Sequence, residues 1–317
     1  MKYKDILWIY NQKTFKYLVN SYFYNMLIEL RKDFTVLDYK DFDFVYSNFN
    51  KIIFLTRSLQ KILSVENKCL DMFFEEFLKK SPENKIIIYI EDYLDTLNFD
   101  YSKIKFLIEK YKKKISVIFS IYNIKNFKSI KMINIPFFIP DYKINIFNKK
   151  KFDFIIWGKL NNEHYPLRKK ISSFLMSKRR NISIKKLEHP GYEITNKKHD
   201  IVGEKLYKLL SNFWFSLCTC EKENYNSSFI PRKYLECMLN GSIPVGDYPE
   251  FLNIHTSTNI KMLDVEKIKI NNLCNILNIM LRNKINLKNI IKYNYDIAKN
   301  FTFDKQNEYF YRLILTL

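Results

Sequence analysis

Glycine is scarce in this sequence and unevenly placed. The chain has 5 glycines in 317 residues, and the first of them is Gly158. The first half therefore lacks the GxGxxG loop that follows the first strand of a dinucleotide-binding domain, which argues against an ordinary dehydrogenase. Because glycine lets backbone N–H groups come close to a phosphate, the second half is the better place for an anionic ligand.

Long apolar runs and paired cysteines are also missing. No stretch approaches the ~18 apolar residues that a membrane-spanning helix needs, and charges interrupt the first residues where a signal peptide would be apolar. The 5 cysteines are an odd number, so we expect reduced thiols. Cys218 and Cys220 alternate along a predicted strand, but no second Cys or His pair has zinc-site spacing, so we assign both to the core. These absences predict a cytoplasmic protein.

The net charge of +20 ordinarily indicates nucleic acid or an anionic membrane as a partner. Here Lys, Asn, Ile, Phe and Tyr are abundant together throughout the chain, as the codon bias of an AT-rich genome would produce. Such a bias raises the charge without selection for a partner, so nucleic acid is the less favoured partner. Peripheral contact with an anionic membrane remains an expectation, and no pattern indicates an oligomeric state.

The first half alternates between strand and helix patterns. Short apolar runs predict strands, and helical spacing of apolar residues predicts helices between them. The predicted strands are 6–10, 34–37, 51–55, 85–90 and 115–119, and the predicted helices are 14–32, 66–80 and 102–113. Strands separated by crossover helices predict a mostly parallel sheet covered on both faces.

A proline- and lysine-containing break at 135–151 separates this pattern from a second one. The second pattern continues with strands at 152–157, 182–187 and 213–220, helices at 166–178 and 200–210, a helix-turn-strand unit at 234–245, and a mostly helical end from 271. The fold class is therefore α/β. We predict one domain over 1–143, a second over 144–302, and a C-terminal helix over 303–317.

The segment RKYLECMLNGSIPVGDYPEF, residues 232–251, is the best candidate for binding chemistry. The run 227–231 is typical of a helix start, and Asn240-Gly241 of a helix end. A helix N-terminus with basic residues suits a diphosphate. The alternative is that Lys233 and Glu236 form an exposed ion pair of little energetic consequence.

This segment resembles the donor-binding helix of GT-B glycosyltransferases, especially the group 1 and spore-maturation-type families. The matching residues are Lys233, Tyr234, Glu236, Gly241, Pro244 and Val245. The runs FDFIIWGKL, YPLRKKI and HPGY also fit the donor domain, and IPFFIP resembles the end of the acceptor domain. The resemblance implies two Rossmann-like domains facing each other across a cleft, with the helix 303–317 crossing back to the first domain.

The resemblance also implies roles for individual donor-binding residues. Glu236 would accept hydrogen bonds from the two ribose hydroxyls of a nucleotide, and Gly158 would let the backbone approach the diphosphate. Tyr234 belongs to the same motif. The residues implied to neutralise the diphosphate or to donate hydrogen bonds to it are Lys159, Arg168, Arg232, Lys233, Ser227 and Ser228.

The implied activity is transfer of a sugar from a nucleoside-diphosphate sugar, with UDP or GDP as carrier, to a glycan, lipid-linked or protein acceptor. Neither a metal nor a further cofactor is expected. An inverting enzyme needs a base in the first domain, and Asp92 and Glu91 stand at the carboxyl end of a predicted strand. The alternative for Asp92 is a helix cap.

Two departures from the family pattern keep other functions open. Ser228 stands where many retaining group 1 enzymes have a second Glu, and all 4 histidines lie in the second half, so the first-domain histidine of those enzymes is missing. One alternative is a DNA-modifying glucosyltransferase, which the positive net charge favours. The other is a non-catalytic sugar- or nucleic-acid-binding module on a transferase scaffold.

Overall fold

Two parallel β-sheets organise the chain, one in each of its two compact units. Unit 1 comprises Met1–Pro136 and Asp304–Leu317, and unit 2 comprises Phe137–Phe303. The computed structural model describes residues 3–11, 22–56, 67–90, 101–121, 127, 129–136, 138–158, 160, 165–178, 181–187, 203–220, 232–248 and 259–317. Among the helices within these ranges, none is long and apolar enough to cross a membrane.

Unit 1 contains a six-stranded sheet with the strand order β2-β1-β3-β4-β5-β6. Its strands are β1 Tyr3–Tyr10, β2 Phe34–Asp38, β3 Lys51–Leu55, β4 Ile86–Ile90, β5 Ile115–Ser120 and β6 Met132–Asn134, and the helices between them are α1 Tyr22–Asp33, α2 Asn67–Lys80 and α3 Tyr101–Lys110. Every pairing is parallel. All five residues of β4 are buried, as expected for a strand covered on both faces. The five strands predicted in the first half correspond to β1 to β5.

Unit 2 contains a five-stranded sheet with the strand order β11-β10-β9-β7-β8, again parallel throughout. Its strands are β7 Phe152–Trp157, β8 Ile184–Leu187, β9 Phe213–Leu217, β10 Ile243–Gly246 and β11 Leu263–Asp264. Its helices are α4 Pro166–Lys178, α5 Gly203–Leu210, α6 Arg232–Leu239, α7 Val265–Ile268, α8 Leu273–Arg282 and α9 Lys284–Ala298.

Successive side chains of β7 supply the cores on the two faces of this sheet, because strand residues alternate in direction. Phe154 and Ile156 belong to a core that includes residues of α4, α8 and α9. Ile155 and Trp157 belong to a separate core with Leu210 of α5. The strands β8 and β9 lie on opposite sides of β7. The chain therefore reverses its winding at β7, and open α/β sheets bind ligands at the carboxyl edge of such a point.

The C-terminal helix, α10 Phe303–Leu315, packs on unit 1. The ring of Phe310 lies 5.0 Å from Trp8 and 5.8 Å from Tyr89, measured between centroids. Asn307 Nδ2 donates to the Asp33 carboxylate at 2.9 Å. These contacts confirm the prediction that the last helix crosses back to the first domain.

The strand predicted at 213–220 is shorter in the structure, where β9 ends at Leu217. Cys218 and Cys220 therefore do not alternate along a strand, although both are buried free thiols. The Cys220 N–H donates to both carboxylate oxygens of Asp247 at 3.0 Å. This contact takes the N–H away from ladder pairing, and the chain leaves the sheet.

Lys150 supports the amino edge of the unit 2 sheet. Its ammonium donates to the carbonyls of Ser211 at 2.8 Å and Gly241 at 2.6 Å, which lie two residues before β9 and β10. Burial lowers the pKa of Lys150 to about 8. Above that pH the neutral amine still has two N–H groups for the two carbonyls.

We predict that the lowered pKa of Lys150 makes the free energy of unfolding rise with pH. Between about pH 8 and its ordinary pKa, the unfolded chain holds a proton that the native state has released, so raising the pH favours the native state. Urea unfolding is expected to show that the wild type gains about 1 kcal/mol between about pH 7 and pH 9 relative to Lys150→Met. Parallel pH curves for the two proteins would contradict this assignment.

Candidate functional site

Two cationic side chains converge on the glycine that follows β7. Gly158 has a φ of +85°, in the left-handed region. A Cβ atom at this position would lie 3.0 Å from Lys233 Nζ and 3.4 Å from Arg168 Nη1. Lys233 comes from α6 and Arg168 from α4, so the fold gathers residues that are far apart in the sequence. Glycine provides both the backbone conformation and the space for them.

Lys233 is partly buried against Trp157, the last residue of β7. Its Nζ donates to the Trp157 carbonyl and lies 4.3 Å from the Trp157 ring centroid. The indole is itself held by a hydrogen bond from Nε1 to Ser216 Oγ at 2.7 Å. Loss of surrounding water lowers the pKa of Lys233 well below its ordinary value, and the nearby charge of Arg168 lowers it further. An anion at this point would relieve both effects.

Arg168 is only 5% exposed and ties the turn after β7 to the end of β9. Its Nε donates to Thr219 Oγ1 at 3.0 Å, and its Nη2 donates to the Thr219 carbonyl at 3.0 Å. Its guanidinium carbon lies 3.8 Å from the ring centroid of Tyr165. Burial lowers the pKa of Arg168, but guanidinium groups remain protonated in proteins. The site therefore contains a fixed positive charge at the carboxyl edge of the sheet.

Tyr234 lies beneath this edge and is completely buried. Its hydroxyl is 3.0 Å from the Cys218 carbonyl, 2.7 Å from the Asp247 carbonyl and 3.0 Å from Asp247 Oδ1. Burial raises the pKa of Tyr234 well above its ordinary value, so the hydroxyl stays protonated and donates. Tyr234 thus connects the segments that leave β9 and β10, whatever its relation to a ligand.

Glu236 lies about one turn after Lys233 on α6 and is 3% exposed. Its Oε1 accepts a hydrogen bond from the Tyr207 hydroxyl at 3.1 Å. The same oxygen forms an ion pair with Arg232 Nε at 2.8 Å. An exposed Lys233–Glu236 ion pair, the alternative considered from the sequence, does not form. Lys233 contacts Trp157 at the end of β7 instead.

The remaining predicted residues have no described position. Lys159, Ser227, Ser228, Glu91 and Asp92 lie outside the residues that the structure describes. The predicted residues that the structure describes form two groups. Gly158, Arg168 and Lys233 meet at the turn after β7, and Arg232, Tyr234 and Glu236 lie along α6.

The site includes residues that were not predicted, namely Trp157, Thr219, Asp247 and Tyr207. The first three end or follow the strands β7, β9 and β10. The rule that ligands bind at the carboxyl edge of a parallel sheet could have identified them. Tyr207 lies on α5, and no sequence pattern connected it with α6.

The arrangement is suited to a nucleotide with a diphosphate. Two cations beside a glycine turn can bind an oxyanion through charge-assisted hydrogen bonds and nearby backbone N–H groups. A carboxylate accepts hydrogen bonds but donates none, so Glu236 suits a diol. Glu236 follows Lys233 by about one helical turn, roughly 5 Å along the axis, so both residues lie on the same stretch of α6.

The fold is shared with known structures, although no protein-family model and no curated protein matches the chain. A crystal structure of an α1,3-fucosyltransferase has 9% sequence identity and a TM-score of 0.51, covering 100% of this chain and 91% of that chain. HepE of Anabaena in complex with UDP and glucose has 10% identity and a TM-score of 0.52, covering 98% of this chain and 99% of that chain. Its complex with UDP-glucose has 10% identity, a TM-score of 0.50 and the same 98% and 99% coverage. The likeness confirms the GT-B fold with two parallel-sheet α/β domains.

Proposed function

We propose that this chain is a glycosyltransferase that uses a nucleoside-diphosphate sugar as its donor. The observation that carries the proposal is the convergence of Lys233 and Arg168 on Gly158. It occurs at the strand β7, where the sheet of unit 2 reverses its winding. The complexes of HepE with UDP and with UDP-glucose support the same ligand class for this fold. Membership of the group 1 or spore-maturation-type families, indicated by the motif at 233–245, belongs to the same proposal.

In this proposal the positive charges act on the leaving group. As the bond between the sugar and the diphosphate breaks, negative charge develops on the phosphate oxygens. Lys233 and Arg168 stabilise that charge from positions fixed before the reaction, which lowers the barrier more than a flexible surface charge would. These side chains take the place of a divalent cation, so no metal is required. Glu236 binds the ribose and thereby fixes the position of the donor in the site.

An enzyme that inverts the anomeric configuration needs a base to activate the acceptor hydroxyl. Glu91 and Asp92 follow β4, so they are our candidates for the base that removes a proton from an acceptor hydroxyl. Glycans, lipid-linked sugars and protein hydroxyls are the proposed acceptor classes. An alanine at each carboxylate, assayed after the acceptor is found, distinguishes a base from a helix cap.

A thermal-shift screen of the wild-type protein tests the proposed function. The ligands are UDP, GDP, their sugar conjugates, pyrophosphate and free nucleosides. A ligand that binds only the folded state raises the melting temperature, by an amount that grows with its concentration relative to Kd. We expect one nucleoside diphosphate series to raise it more than pyrophosphate or the nucleoside does. A screen in which no nucleoside diphosphate raises it would contradict the proposal.

A turnover assay then separates an enzyme from a binding module. The nucleotide-sugar that gives the largest shift is incubated with pooled glycans, lipid-linked sugars, peptides and DNA. Release of the nucleoside diphosphate that depends on one acceptor class identifies a transferase and its acceptor. Tight binding without release, with every acceptor class, would favour the non-catalytic alternative.

A further inference from the structure

Tyr207 reaches the carboxylate of Glu236 from a separate helix, α5. The two residues are 29 positions apart in the sequence, and their contact at 3.1 Å is buried. Arg232 contacts the same carboxylate from within α6, at 2.8 Å. Glu236 is therefore held by one donor from its own helix and one donor from its neighbour.

Both donors contact the same carboxylate oxygen of Glu236. The Tyr207 hydroxyl and Arg232 Nε contact Oε1, and no described residue makes a hydrogen bond to Oε2. A carboxylate oxygen has two lone pairs, so Oε1 has no further accepting capacity. Oε2 keeps both of its lone pairs, and a vicinal diol has two O–H groups to donate. The geometry thus divides Glu236 into an anchored oxygen and an oxygen available to a ligand.

Tyr207 is the more deeply buried of the two residues that contact Glu236. It is 2% exposed, and the ring of Tyr142 packs edge-on against it at 5.0 Å between centroids and 88° between planes. Burial raises the pKa of its hydroxyl well above the ordinary value, with the charge of Glu236 as a second cause, so it remains a donor. The side chain of Arg232, in contrast, is 34% exposed.

We infer that Tyr207 is a positioning residue for sugar recognition in the nucleotide: by holding Glu236 Oε1, it fixes Oε2 to accept the ribose hydroxyls. The inference rests on the proposed function, because it requires a nucleotide in this site. It assigns Tyr207 no contact with the ligand. Its effect is therefore a preference for ribonucleotides over 2′-deoxyribonucleotides, which a general loss of stability would not alter.

Calorimetric titration of Tyr207→Phe with UDP and 2′-deoxy-UDP tests this inference, with the GDP pair used if the wild type prefers GDP. We expect the wild type to bind the ribonucleotide at least about 10-fold more tightly, since one charge-assisted hydrogen bond is lost with the hydroxyl. In Tyr207→Phe the preference is expected to fall by about 5-fold, because the deoxynucleotide keeps only its 3′-hydroxyl and is weakened less than the ribonucleotide. Tyr46→Phe is the matched control, because the Tyr46 hydroxyl makes a buried hydrogen bond to the Phe77 carbonyl in unit 1.

Each other outcome has a distinct meaning. Equal weakening of both nucleotides in Tyr207→Phe, or an unchanged preference, would overturn the positioning role while leaving the proposed function intact. A wild type that binds both nucleotides equally would remove the ribose role of Glu236 and the inference with it. A wild type that binds neither would overturn the proposed function itself. Melting temperatures of the two variants establish that each is folded.

Discussion

Replacing Lys233 with methionine is expected to weaken the binding of UDP and of pyrophosphate by about 30-fold each. A hydrogen bond to a charged group contributes roughly 1.5–3 kcal/mol, which corresponds to about 10- to 150-fold in affinity. Methionine retains the length of the side chain and its packing against Trp157 but has no charge and no N–H donor. Because Lys233 lies beside Gly158, the loss falls on the diphosphate and affects both ligands alike.

The same variant is expected to abolish a proton linkage. The pKa of Lys233 is well below its ordinary value in the free protein, and a bound diphosphate raises it. Between those two pKa values the wild type takes up a proton on binding, so its affinity falls as the pH rises. Calorimetry in buffers of different ionisation enthalpy measures this uptake directly.

Lys150→Met provides the matched control for Lys233→Met. Lys150 is another buried lysine of unit 2 with a lowered pKa, but its hydrogen bonds lie at the amino edge of the sheet. We expect its substitution to change stability and leave the affinity for UDP unaltered. Equal losses of affinity in the two variants would indicate a general defect of unit 2 and would contradict a diphosphate site at Lys233.

Replacing Glu236 with alanine is expected to weaken UDP binding by at least about 30-fold while leaving pyrophosphate binding within about 2-fold of the wild type. Two ribose hydroxyls lose their charged acceptor, and the net loss of even one such hydrogen bond, roughly 1.5–3 kcal/mol, accounts for about 30-fold. Pyrophosphate lacks a ribose, so its affinity does not depend on Glu236. The contrast between the two ligands separates this result from that of Lys233→Met.

The control for Glu236→Ala is Glu204→Ala. Glu204 lies on α5 and forms an exposed ion pair with Lys208 at 2.6 Å, which contributes little to stability. We expect unchanged titration curves for this variant. If Glu236→Ala weakened pyrophosphate and UDP equally, the ribose assignment would be wrong even if the nucleotide site were right.

The fold followed from local patterns because burial on both faces leaves a strong signal. The run IIIYI was predicted as a strand and forms β4, with every residue buried. Gly241 was predicted to end α6, and it adopts a left-handed φ of +71° directly after that helix. Each of these features is determined by a few neighbouring residues, so the sequence alone was sufficient.

The site was only partly predictable, because it depends on which elements are neighbours. The sequence left open whether Lys233 and Glu236 form an exposed ion pair, and the contacts that decide this come from the end of β7 and from α5. The strand β9 ends at Leu217, and the Cys220 N–H that follows it donates to Asp247, 27 residues further along the chain. Tyr207 could not be foreseen, since its role arises from a contact between two helices.

A crystal structure with UDP, or with GDP if the thermal-shift screen favours it, tests the central claim most directly. We expect phosphate oxygens within hydrogen-bonding distance of Lys233 Nζ and Arg168, beside Gly158, and ribose hydroxyls on Glu236 Oε2. A nucleotide bound elsewhere, with its diphosphate away from the turn after β7, would contradict it.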